Sequence, residues 1–528
     1  MPFTKKRLLG KHPVKGIRWW PVLLIAVLSL LIVAVIWAPD ASHRQQQVMQ
    51  TTSLLVVTLL LLVLWLLLFS RLRLKVRLVS FAAVILFLGL SAALFRIGGV
   101  SGDLVPIPEW RWTSRGHPSV TEHTLQPGDQ ISGAATGSPS DYPQFLGSGR
   151  NATLPGVRLM SDWSNHPPRL VWRQPVGAGW SAFAVAGQVA VTQEQHGEQE
   201  QVVCYDLKSG RVRWRHSDTA RYESTIAGVG PRATPTIVKD RVYTFGATGI
   251  LNCLDLASGR KVWSKDTLKE NGAKINTWGM SCSPLVLDSL AIVSPGGPDN
   301  RSLVAYHKDT GRFIWGGGNS PAGYSSPGLA TLAGIDQILI FNRGSVAAHD
   351  PLTGQVLWQH PWPGSGSTQH VAQPVPLPGS RVFVSTGYGI GCKLFQISRD
   401  GQNGFSVSLV WETPRLKAKF TNVVHRDGYI YGLDDGVLVC LDLANGRRRW
   451  KRGRYGHGQL MMVGDLLLIQ AESGDVVLVD VNPDEFKERA RLSALNSKTW
   501  NNPALAGRYL LVRNDREAAC YELPRVAN

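Results

Sequence analysis

The sequence predicts an all-β, eight-bladed β-propeller preceded by three transmembrane helices. Three apolar runs without charge lie within the first 96 of the 528 residues. After about residue 169, one hairpin phrase ending in Trp recurs every 46 residues or so, and a four-stranded propeller blade takes roughly 40–50 residues. An apolar content of 44% and only six cysteines exclude a disordered chain and a disulfide scaffold.

The three apolar runs span residues 19–38, 53–70 and 78–95. A helix needs about 20 apolar residues to cross a bilayer, with a lower limit near 17. None of the runs contains Asp, Glu, Lys, Arg or His, so they predict a membrane anchor over residues 1–96 and not an ion path. The first run is also compatible with a cleaved signal peptide, although it is long for one and two more runs follow it.

Basic residues around the runs predict the orientation of the anchor. The runs are flanked on one side by ten of them: Lys5, Lys6, Arg7, Lys11, Lys15, Arg18, Arg71, Arg73, Lys75 and Arg77. Only Arg44 lies between the first two runs, so the positive-inside rule predicts a cytoplasmic N-terminus. The rest of the chain is then predicted to be periplasmic or otherwise extracytoplasmic, in a multi-pass protein of the inner (plasma) membrane.

The same residues account for most of the net charge of +18. Residues 1–96 hold twelve bases against the single acid Asp40, a net charge of +11. The remaining 44 bases and 37 acids leave +7 for all that follows. A charge that orients helices is no indication of nucleic-acid binding. Residues 97–168, rich in Gly, Pro, Ser and Thr, are predicted to be a linker and lead-in.

The repeat begins at about residue 169 and extends to the C-terminus at Asn528. Its clearest instances are CYDLKSGRVRW (204–214), CLDLASGRKVW (253–263), AYHKDTGRFIW (305–315), AHDPLTGQVLW (348–358) and CLDLANGRRRW (440–450). The polar residue and Gly predict a hairpin turn, and the Trp at the end of the strand is predicted to seal one blade against the next. Eight opening strand pairs occur, but the last blade lacks an outer strand. The strand holding Trp172 is predicted to complete it.

These phrases resemble the Leu-Asp-x-x-Thr-Gly-x-x-x-Trp repeats of the pyrroloquinoline-quinone-type (PQQ-like) β-propellers. The resemblance covers Arg169 to Leu523, and the lead-in from Asp141, DYPQFLG, resembles the DWPQFRG of bacterial members. It implies one of two functions. Quinoprotein dehydrogenases oxidise alcohols or sugars with PQQ and usually Ca²⁺, whereas other members, including the outer-membrane assembly lipoprotein, act as scaffolds without a cofactor.

Cysteine placement bears on this choice. Many of the dehydrogenases stack PQQ between a Trp and a disulfide of adjacent cysteines, and no two cysteines are adjacent here. Cys204, Cys253, Cys440 and Cys520 share one repeat position that Ala305 and Ala348 fill in other blades, which predicts a packing role. No zinc-ligand spacing occurs, and the residues that would hold Ca²⁺ cannot be assigned. The sequence therefore predicts no metal or cofactor, with PQQ and Ca²⁺ belonging to the alternative.

A candidate ligand site is predicted where the inner strands begin, at the mouth of the central channel. Alignment of the blades on their opening strands brings aromatic and cationic residues to comparable positions: Trp180, Arg232, Trp278, Tyr324, His370, Lys419, His457 and Trp500. Aromatic faces could stack on a flat ligand, and the cations could pair with its carboxylates. The competing interpretation is a set of assorted polar loop residues around a water-filled channel.

Other chemistries have little support in the sequence. There is no P-loop, GxSxG or HExxH motif, and the glycine-rich GYGIGC (387–392) falls between strands, where it predicts a turn. The basic run RRRWKR (447–452) spans one hairpin and predicts a solvated strand face. The favoured function is a membrane-tethered, non-catalytic binding or scaffold domain for envelope proteins. The alternatives are a quinoprotein dehydrogenase that passes electrons to membrane quinone, and a ligand sensor.

Overall fold

The structure is a computed structural model that describes residues 16–38, 44–113, 138, 140–364, 369–401 and 404–526. The chain divides into two compact units, Met1–Ser114 and Arg115–Asn528. Several residues used for the predicted orientation and charge lie outside the described residues: Lys5, Lys6, Arg7, Lys11, Lys15 and Asp40. Residues 114–137 of the predicted linker lie outside them as well.

Three apolar helices make up most of the first unit. They are α1 (Trp20–Ile36), α2 (Arg44–Leu64), which continues through a π-helical turn (Trp65–Phe69), and α3 (Leu74–Leu94). Two of them, Arg44–Phe69 and Leu74–Leu94, have the length and composition of membrane-crossing helices. The 17 residues of α1 fall short of that length. The structure therefore has two candidate spans and one shorter apolar helix, and the predicted third span is not confirmed.

A β-hairpin follows α3 directly, where the sequence predicted the start of an irregular linker. Strand β1 (Phe95–Val100) pairs antiparallel with β2 (Pro106–Trp110). Both strands of a two-stranded ribbon are edges, and edges tolerate the missing N–H of proline. Pro106 and Pro108 are therefore compatible with the pairing, although their presence suggested a linker.

The second unit contains eight antiparallel sheets, each of which forms one propeller blade. Two strands precede the blades: β3 (Thr153–Leu154) and β4 (Arg169–Pro175). In blades 1 to 7 the strands follow one another in chain order, whereas blade 8 takes its outermost strand from an earlier part of the chain. From the axis outward, we call the strands of each blade the first to the fourth strand. This confirms the predicted eight-bladed propeller.

The strands of blades 1 to 4 have the following bounds. Blade 1 has β5 (Ala184–Ala186), β6 (Val189–His196), β7 (Gln199–Asp206) and β8 (Val212–Thr219), and a short ladder of β9 (Glu223–Ser224) and β10 (Gly228–Val229) follows it. Blade 2 has β11 (Thr236–Val238), β12 (Arg241–Phe245), β13 (Ile250–Asp255) and β14 (Lys261–Asp266), followed by the single turn α4 (Thr267–Glu270). Blade 3 has β15 (Leu285–Leu287), β16 (Leu290–Val293), β17 (Leu303–His307) and β18 (Phe313–Gly317). Blade 4 has β19 (Gly328–Leu332), β20 (Ile335–Asn342), β21 (Ser345–His349) and β22 (Val356–Pro361).

Blades 5 to 8 complete the ring. Blade 5 has β23 (Val375–Leu377), β24 (Arg381–Thr386), β25 (Gly391–Asp400) and β26 (Gly404–Thr413). Blade 6 has β27 (Val424–Arg426), β28 (Tyr429–Asp434), β29 (Val437–Asp442) and β30 (Arg448–Arg454). Blade 7 has β31 (Gln459–Val463), β32 (Leu466–Gln470), β33 (Asp475–Asp480) and β34 (Glu488–Ser493). Blade 8 has β35 (Ala504–Ala506), β36 (Tyr509–Arg513) and β37 (Glu517–Glu522) from the C-terminal end of the chain.

The fourth strand of blade 8 is β4, from the beginning of the propeller. It pairs antiparallel with β37, and Trp172 lies opposite Cys520. The predicted closure of the ring is therefore confirmed. A buried network reinforces the same seam, because Arg513 on β36 donates to Thr192 Oγ1 at 2.7 Å and to the Gln193 carbonyl at 2.9 Å on β6 of blade 1.

The tryptophan at the end of each repeat phrase joins its blade to the next one, as predicted. In six cases the indole N–H donates to a backbone carbonyl in the neighbouring hairpin turn, at 2.7–3.2 Å: Trp172 to Leu207, Trp214 to Leu256, Trp263 to Lys308, Trp315 to Pro351, Trp411 to Leu443 and Trp450 to Asn482. Trp358 differs and donates to Gln337 Oε1 at 2.7 Å. The turn glycines lie against these rings. A Cβ on Gly210 would come within 2.7 Å of the Trp172 indole, and its φ of +71° also favours glycine.

The repeat cysteines pack in the same layer. Cys204, Cys253, Cys440 and Cys520 each lie opposite a repeat Trp, and Ala305 holds the equivalent position in blade 3. All six cysteines are free and buried. Burial raises the pKa of the Cys253 and Cys440 thiols to about 12, which leaves them unreactive. The predicted packing role is confirmed.

The lead-in segment, residues 140–160, packs inside the propeller instead of preceding it. Tyr142 pairs with Val185 of β5, and the Pro143 carbonyl accepts the Ile237 N–H of β11 at 2.8 Å. Strand β3 runs parallel to β31 of blade 7. Blades 1 and 2 are thus linked to blade 7 by one short stretch of chain, which crosses the axis of the ring.

Buried Arg150 holds the middle of this segment. Its guanidinium donates to the carbonyls of Ser283 and Pro284 in blade 3, both at 3.1 Å. Burial lowers the pKa of Arg150 to about 10. The segment also contacts turns between first and second strands, since Gly187 N–H donates to Asp141 Oδ1 at 3.0 Å. The lead-in therefore closes the end of the ring at which the first strands finish.

Candidate functional site

The eight candidate residues all lie on the loops that lead into first strands. Neighbouring first strands contact one another from blade 8 through blades 1, 2 and 3, and again between blades 6 and 7, so these strands line the axis. The loops between second and third strands lie at the same end of the blades. We call this end the loop face, and it is opposite the end that the lead-in segment closes.

Three rings, from the loops that lead into blades 1, 6 and 8, form an aromatic cluster on the loop face: Trp180, Phe420 and Trp500. The ring centres of Trp180 and Trp500 are 4.8 Å apart, and those of Phe420 and Trp500 are 5.1 Å apart. The Lys498 ammonium lies 4.0 Å from the centre of the Trp500 ring and 5.1 Å from that of Trp180. The three rings therefore pack on one another at tilted or edge-on angles, and one cation lies over two of them.

Hydrogen bonds fix this cluster in place. Trp500 Nε1 donates to Glu472 Oε1 at 2.8 Å, and the His457 backbone N–H donates to Glu472 Oε2 at 3.0 Å. The His457 ring lies 5.1 Å from that of Phe420. Gln459 Nε2 donates to the carbonyls of Phe420 and Trp500, at 2.8 and 3.0 Å. The structure thus brings together three of the predicted residues, Trp180, His457 and Trp500.

Arg232 is bonded to its own loop. Its guanidinium donates to the carbonyls of Gly230 and of Ala227, and it stacks 4.7 Å from the ring centre of Tyr222. Burial lowers its pKa to about 10, and the neighbouring tyrosines oppose that shift. Trp180 Nε1 donates to the same Ala227 carbonyl at 2.5 Å. Arg232 therefore stabilises its own loop through these hydrogen bonds.

A second group, the polar cluster, lies in the sector of blades 3 to 5 and consists of Tyr324, Arg343, His370 and Tyr388. Tyr324 is 7% exposed, and its Oη accepts the Trp278 N–H at 3.2 Å. The Trp278 and Tyr324 ring centres are 5.6 Å apart. The Tyr324 backbone N–H donates to the His370 carbonyl at 2.7 Å, which joins two neighbouring loops.

Two buried polar atoms of this cluster have no hydrogen-bond partner among the described residues: His370 Nε2 and Tyr388 Oη. His370 is 3% exposed, and burial together with the Arg343 charge lowers its pKa to about 4. Burial raises the pKa of Tyr388, whose backbone adopts a φ of +61°. The ammonium of Lys419 lies 5.2 Å from the Tyr388 ring centre. Unsatisfied buried groups and a strained backbone are both typical of functional sites.

Arg343 and Tyr388 were not among the predicted site residues. Both lie between second and third strands, whereas the sequence alignment used the starts of first strands. The side chain of Arg343 is half-buried and forms no hydrogen bond or ion pair within the described part of the chain. The motif GYGIGC contains Tyr388, and a bulky residue between two glycines was the available signal for it.

The described residues do not fit PQQ with Ca²⁺. None of them forms a group of three His, Cys, Asp or Glu able to hold a metal ion. Asp434, a buried acid near the loop face, already pairs with Lys417 at 2.6 Å and Lys451 at 2.5 Å. The indoles of Trp180 and Trp500 are tilted by 44° to each other, so the two rings do not form a parallel-walled slot for a planar ligand.

The basic run 447–452 lies on β30, the outermost strand of blade 6. Arg449 pairs with Asp484 at 2.6 Å, and Lys451 pairs with Asp434. Arg448 and Arg452 are exposed on the same strand. Charged residues on an edge strand protect it from pairing with other chains, which accounts for the run without a nucleic-acid partner.

The sequence of the propeller matches one known protein family. Residues 163–277 and 227–452 match the PQQ-like repeat family described as outer membrane protein assembly factor BamB. The BamB of Burkholderia pseudomallei is 25% identical over 360 residues, which cover 65% of this chain and 84% of that protein. The BamB of Moranella endobia is 23% identical over 281 residues, 43% of this chain and 68% of its own length.

Among solved structures, the quinohemoprotein alcohol dehydrogenase of Comamonas testosteroni is similar, with a TM-score of 0.51. The similarity covers 74% of this chain and 81% of that one at 13% identity. At that identity the similarity shows the fold alone.

Proposed function

The chain belongs to the PQQ-like repeat β-propeller family, and from that premise we propose that it is a membrane-tethered, non-catalytic scaffold whose loop face binds envelope proteins. The observation that supports this most is the aromatic cluster. Its rings pack across blades 1, 6 and 8, so the residues that would have stacked on a quinone contribute to cohesion between blades. Its BamB relatives, named as assembly factors, are compatible with a scaffold.

The anchor is part of the proposal. We assign all three apolar helices to the bilayer, with α1 extended by the flanking apolar residues of the run 19–38. The basic residues before α1 and between α2 and α3 would then face the cytoplasm, and the propeller would be periplasmic or otherwise extracytoplasmic. Cysteine labelling of intact cells with an impermeant maleimide tests this. Ser164→Cys should be labelled without lysis and Leu72→Cys only after it, and the reverse pattern would contradict the orientation.

Partner binding is tested by photocrosslinking in cells. Ile275 is 45% exposed on the loop that leads into blade 3, and Val262 is 41% exposed on the outer strand of blade 2. A photoreactive amino acid at position 275 should give discrete adducts with envelope proteins, whereas position 262 provides the control of matched exposure and should not. Equal adducts at both positions would indicate unspecific contact and would contradict a binding role for the loop face.

The quinoprotein alternative is tested on the purified full chain. PQQ and Ca²⁺ are titrated together, and dye reduction is followed with a panel of alcohols and sugars. We expect neither saturable PQQ binding nor turnover, because no described ligand set fits the ion and the tilted indoles of Trp180 and Trp500 do not form a parallel slot. Tight binding with turnover would refute the scaffold proposal.

A further inference from the structure

One face of the hairpin after α3 is apolar, continuous and exposed. The register pairs Phe95 with Trp110 and Ile97 with Pro108, so these four side chains lie on the same face. Ile97 is 68% exposed, Trp110 46% and Phe95 44%. The Phe95 and Trp110 rings are in contact edge to face, with centres 5.1 Å apart. Trp112, 65% exposed, extends the same surface and lies 5.3 Å from Trp110.

The opposite face carries the charges, and they are paired. Arg96 faces Glu109 across the two strands, with Nε and Oε2 3.7 Å apart. Asp103 in the hairpin turn pairs at 2.8 Å with Arg44, the first residue of α2. The hairpin therefore brings little uncompensated charge with it, which keeps the cost of approaching an apolar phase low.

The hairpin is also fastened to the end of α3. The helix ends at Leu94, and Phe95 is already extended, so no loop separates the two elements. Arg111 donates through its backbone N–H to the Leu94 carbonyl and through Nε to the Ala92 carbonyl, both at 2.8 Å. The apolar face is thus held at the level where a candidate membrane-crossing helix ends.

Two physical limits set the depth of this surface. A two-stranded hairpin is only marginally stable in water, so an exposed apolar face needs a covering phase. Its outer edges carry unpaired N–H and C=O groups, which cannot enter the hydrocarbon core. Only the boundary between headgroups and acyl chains satisfies both limits, and Trp side chains are enriched there.

We propose that the β1–β2 hairpin lies in the membrane interface, with Phe95, Ile97, Pro108, Trp110 and Trp112 inserted among the lipids. This inference rests on the proposed anchor, because it takes α3 to cross the bilayer. The hairpin then acts as a stop at the end of α3 that fixes how deeply the helix is inserted.

Spin labels on the full chain test the proposal, in vesicles of phosphatidylcholine and phosphatidylglycerol. Ile97→Cys reports the apolar face and Ile107→Cys, the matched control, reports the opposite face. All six native cysteines are buried, which limits background labelling. The label at 97 should be relaxed more by oxygen than by a water-soluble nickel chelate, at a depth of about 5–10 Å, and the label at 107 should show the reverse.

A third label separates failure of the hairpin proposal from failure of the anchor. Leu86→Cys, on α3 and 71% exposed, should report the hydrocarbon core. A label in lipid at 86 but in water at 97 would overturn the hairpin proposal alone. Water at 86 would overturn both proposals.

Coverage of the face by a second copy of the chain is a further outcome that would overturn the proposal. It would appear as dipolar broadening at 97 that disappears when labelled chains are diluted with unlabelled ones. If Ile97→Cys fails to fold, Trp112→Cys provides the same readout from outside the strands.

Discussion

The two halves of the loop face use similar residues in different ways. In the aromatic cluster, Trp180, Phe420 and Trp500 pack on one another, and Lys498 lies over two of the rings. In the polar cluster, His370 and Tyr388 each keep a buried polar atom without a hydrogen bond among the described residues.

Among the described residues, unpartnered buried amide oxygens also occur beside the aromatic cluster, at Gln459 and Asn501. The two halves therefore differ in the kind of group left unsatisfied. In the polar cluster these groups are titratable side chains, at an energetic cost that a bound group would relieve. The difference makes the sector of blades 3 to 5 the candidate position for a bound group.

The largest effect is expected from Trp500→Ala, which removes the ring that joins Trp180 to Phe420 and the hydrogen bond to Glu472. We expect a loss of about 3 kcal/mol in the free energy of unfolding, measured by denaturant titration of the detergent-solubilised chain. Trp278→Ala is the matched change in the other half and should cost about half as much, because its ring packs on Tyr324 only. A larger loss for Trp278→Ala would contradict the expectation that the aromatic cluster contributes more to stability than the other half of the loop face.

An effect of intermediate size is expected of His370, which should make the free energy of unfolding depend on pH. Its pKa is about 4 in the folded chain and 6.5 when unfolded, so between these values only the unfolded state binds the proton. Stability should therefore be complete above pH 6.5 and fall as the pH decreases, by about 2 kcal/mol at pH 5. His370→Gln should flatten this slope, whereas the exposed His166→Gln should leave it unchanged. An unchanged slope in His370→Gln would show that another group titrates.

The smallest effect is expected from Tyr388→Phe. Its hydroxyl has no partner among the described residues, so its removal should change the free energy of unfolding by less than about 1 kcal/mol, toward greater stability. Tyr205→Phe is the control, because that buried hydroxyl donates to Glu194 at 2.6 Å, and its loss should cost about 1–3 kcal/mol. Equal losses in the two variants would show that the Tyr388 hydroxyl is paired.

The architecture of the propeller could be predicted because the repeat is local. A turn glycine and a Trp at fixed spacing mark each hairpin, and the missing outer strand of the last blade implied closure by the strand that holds Trp172. The lead-in segment and the β1–β2 hairpin were not predicted as packed structure. Their Gly and Pro residues suggest a linker, and their contacts, such as that of Arg150 with Ser283, join parts of the chain far apart in sequence.

The candidate site could be predicted by location but not by role. The alignment correctly identified loops that come together, including those of Trp180 and Trp500. It did not show that Arg232 would donate to its own loop. Every residue has a backbone carbonyl, so the sequence does not indicate which carbonyl will accept a hydrogen bond. It also omitted Arg343 and Tyr388, since loops between second and third strands carry no shared motif in this chain.

The closure of the ring also determines when the propeller can finish folding. Arg169 on β4 bonds to Glu522 on β37 across 353 positions of sequence, and blade 8 needs both strands. During synthesis, the edge of β4 therefore stays unpaired until β37 has left the ribosome. Contacts so distant in sequence slow folding, and an unpaired edge invites wrong partners. Deletion of β37 should therefore leave the edge of β4 permanently unpaired, and the truncated chain should stay soluble only where a chaperone covers that edge.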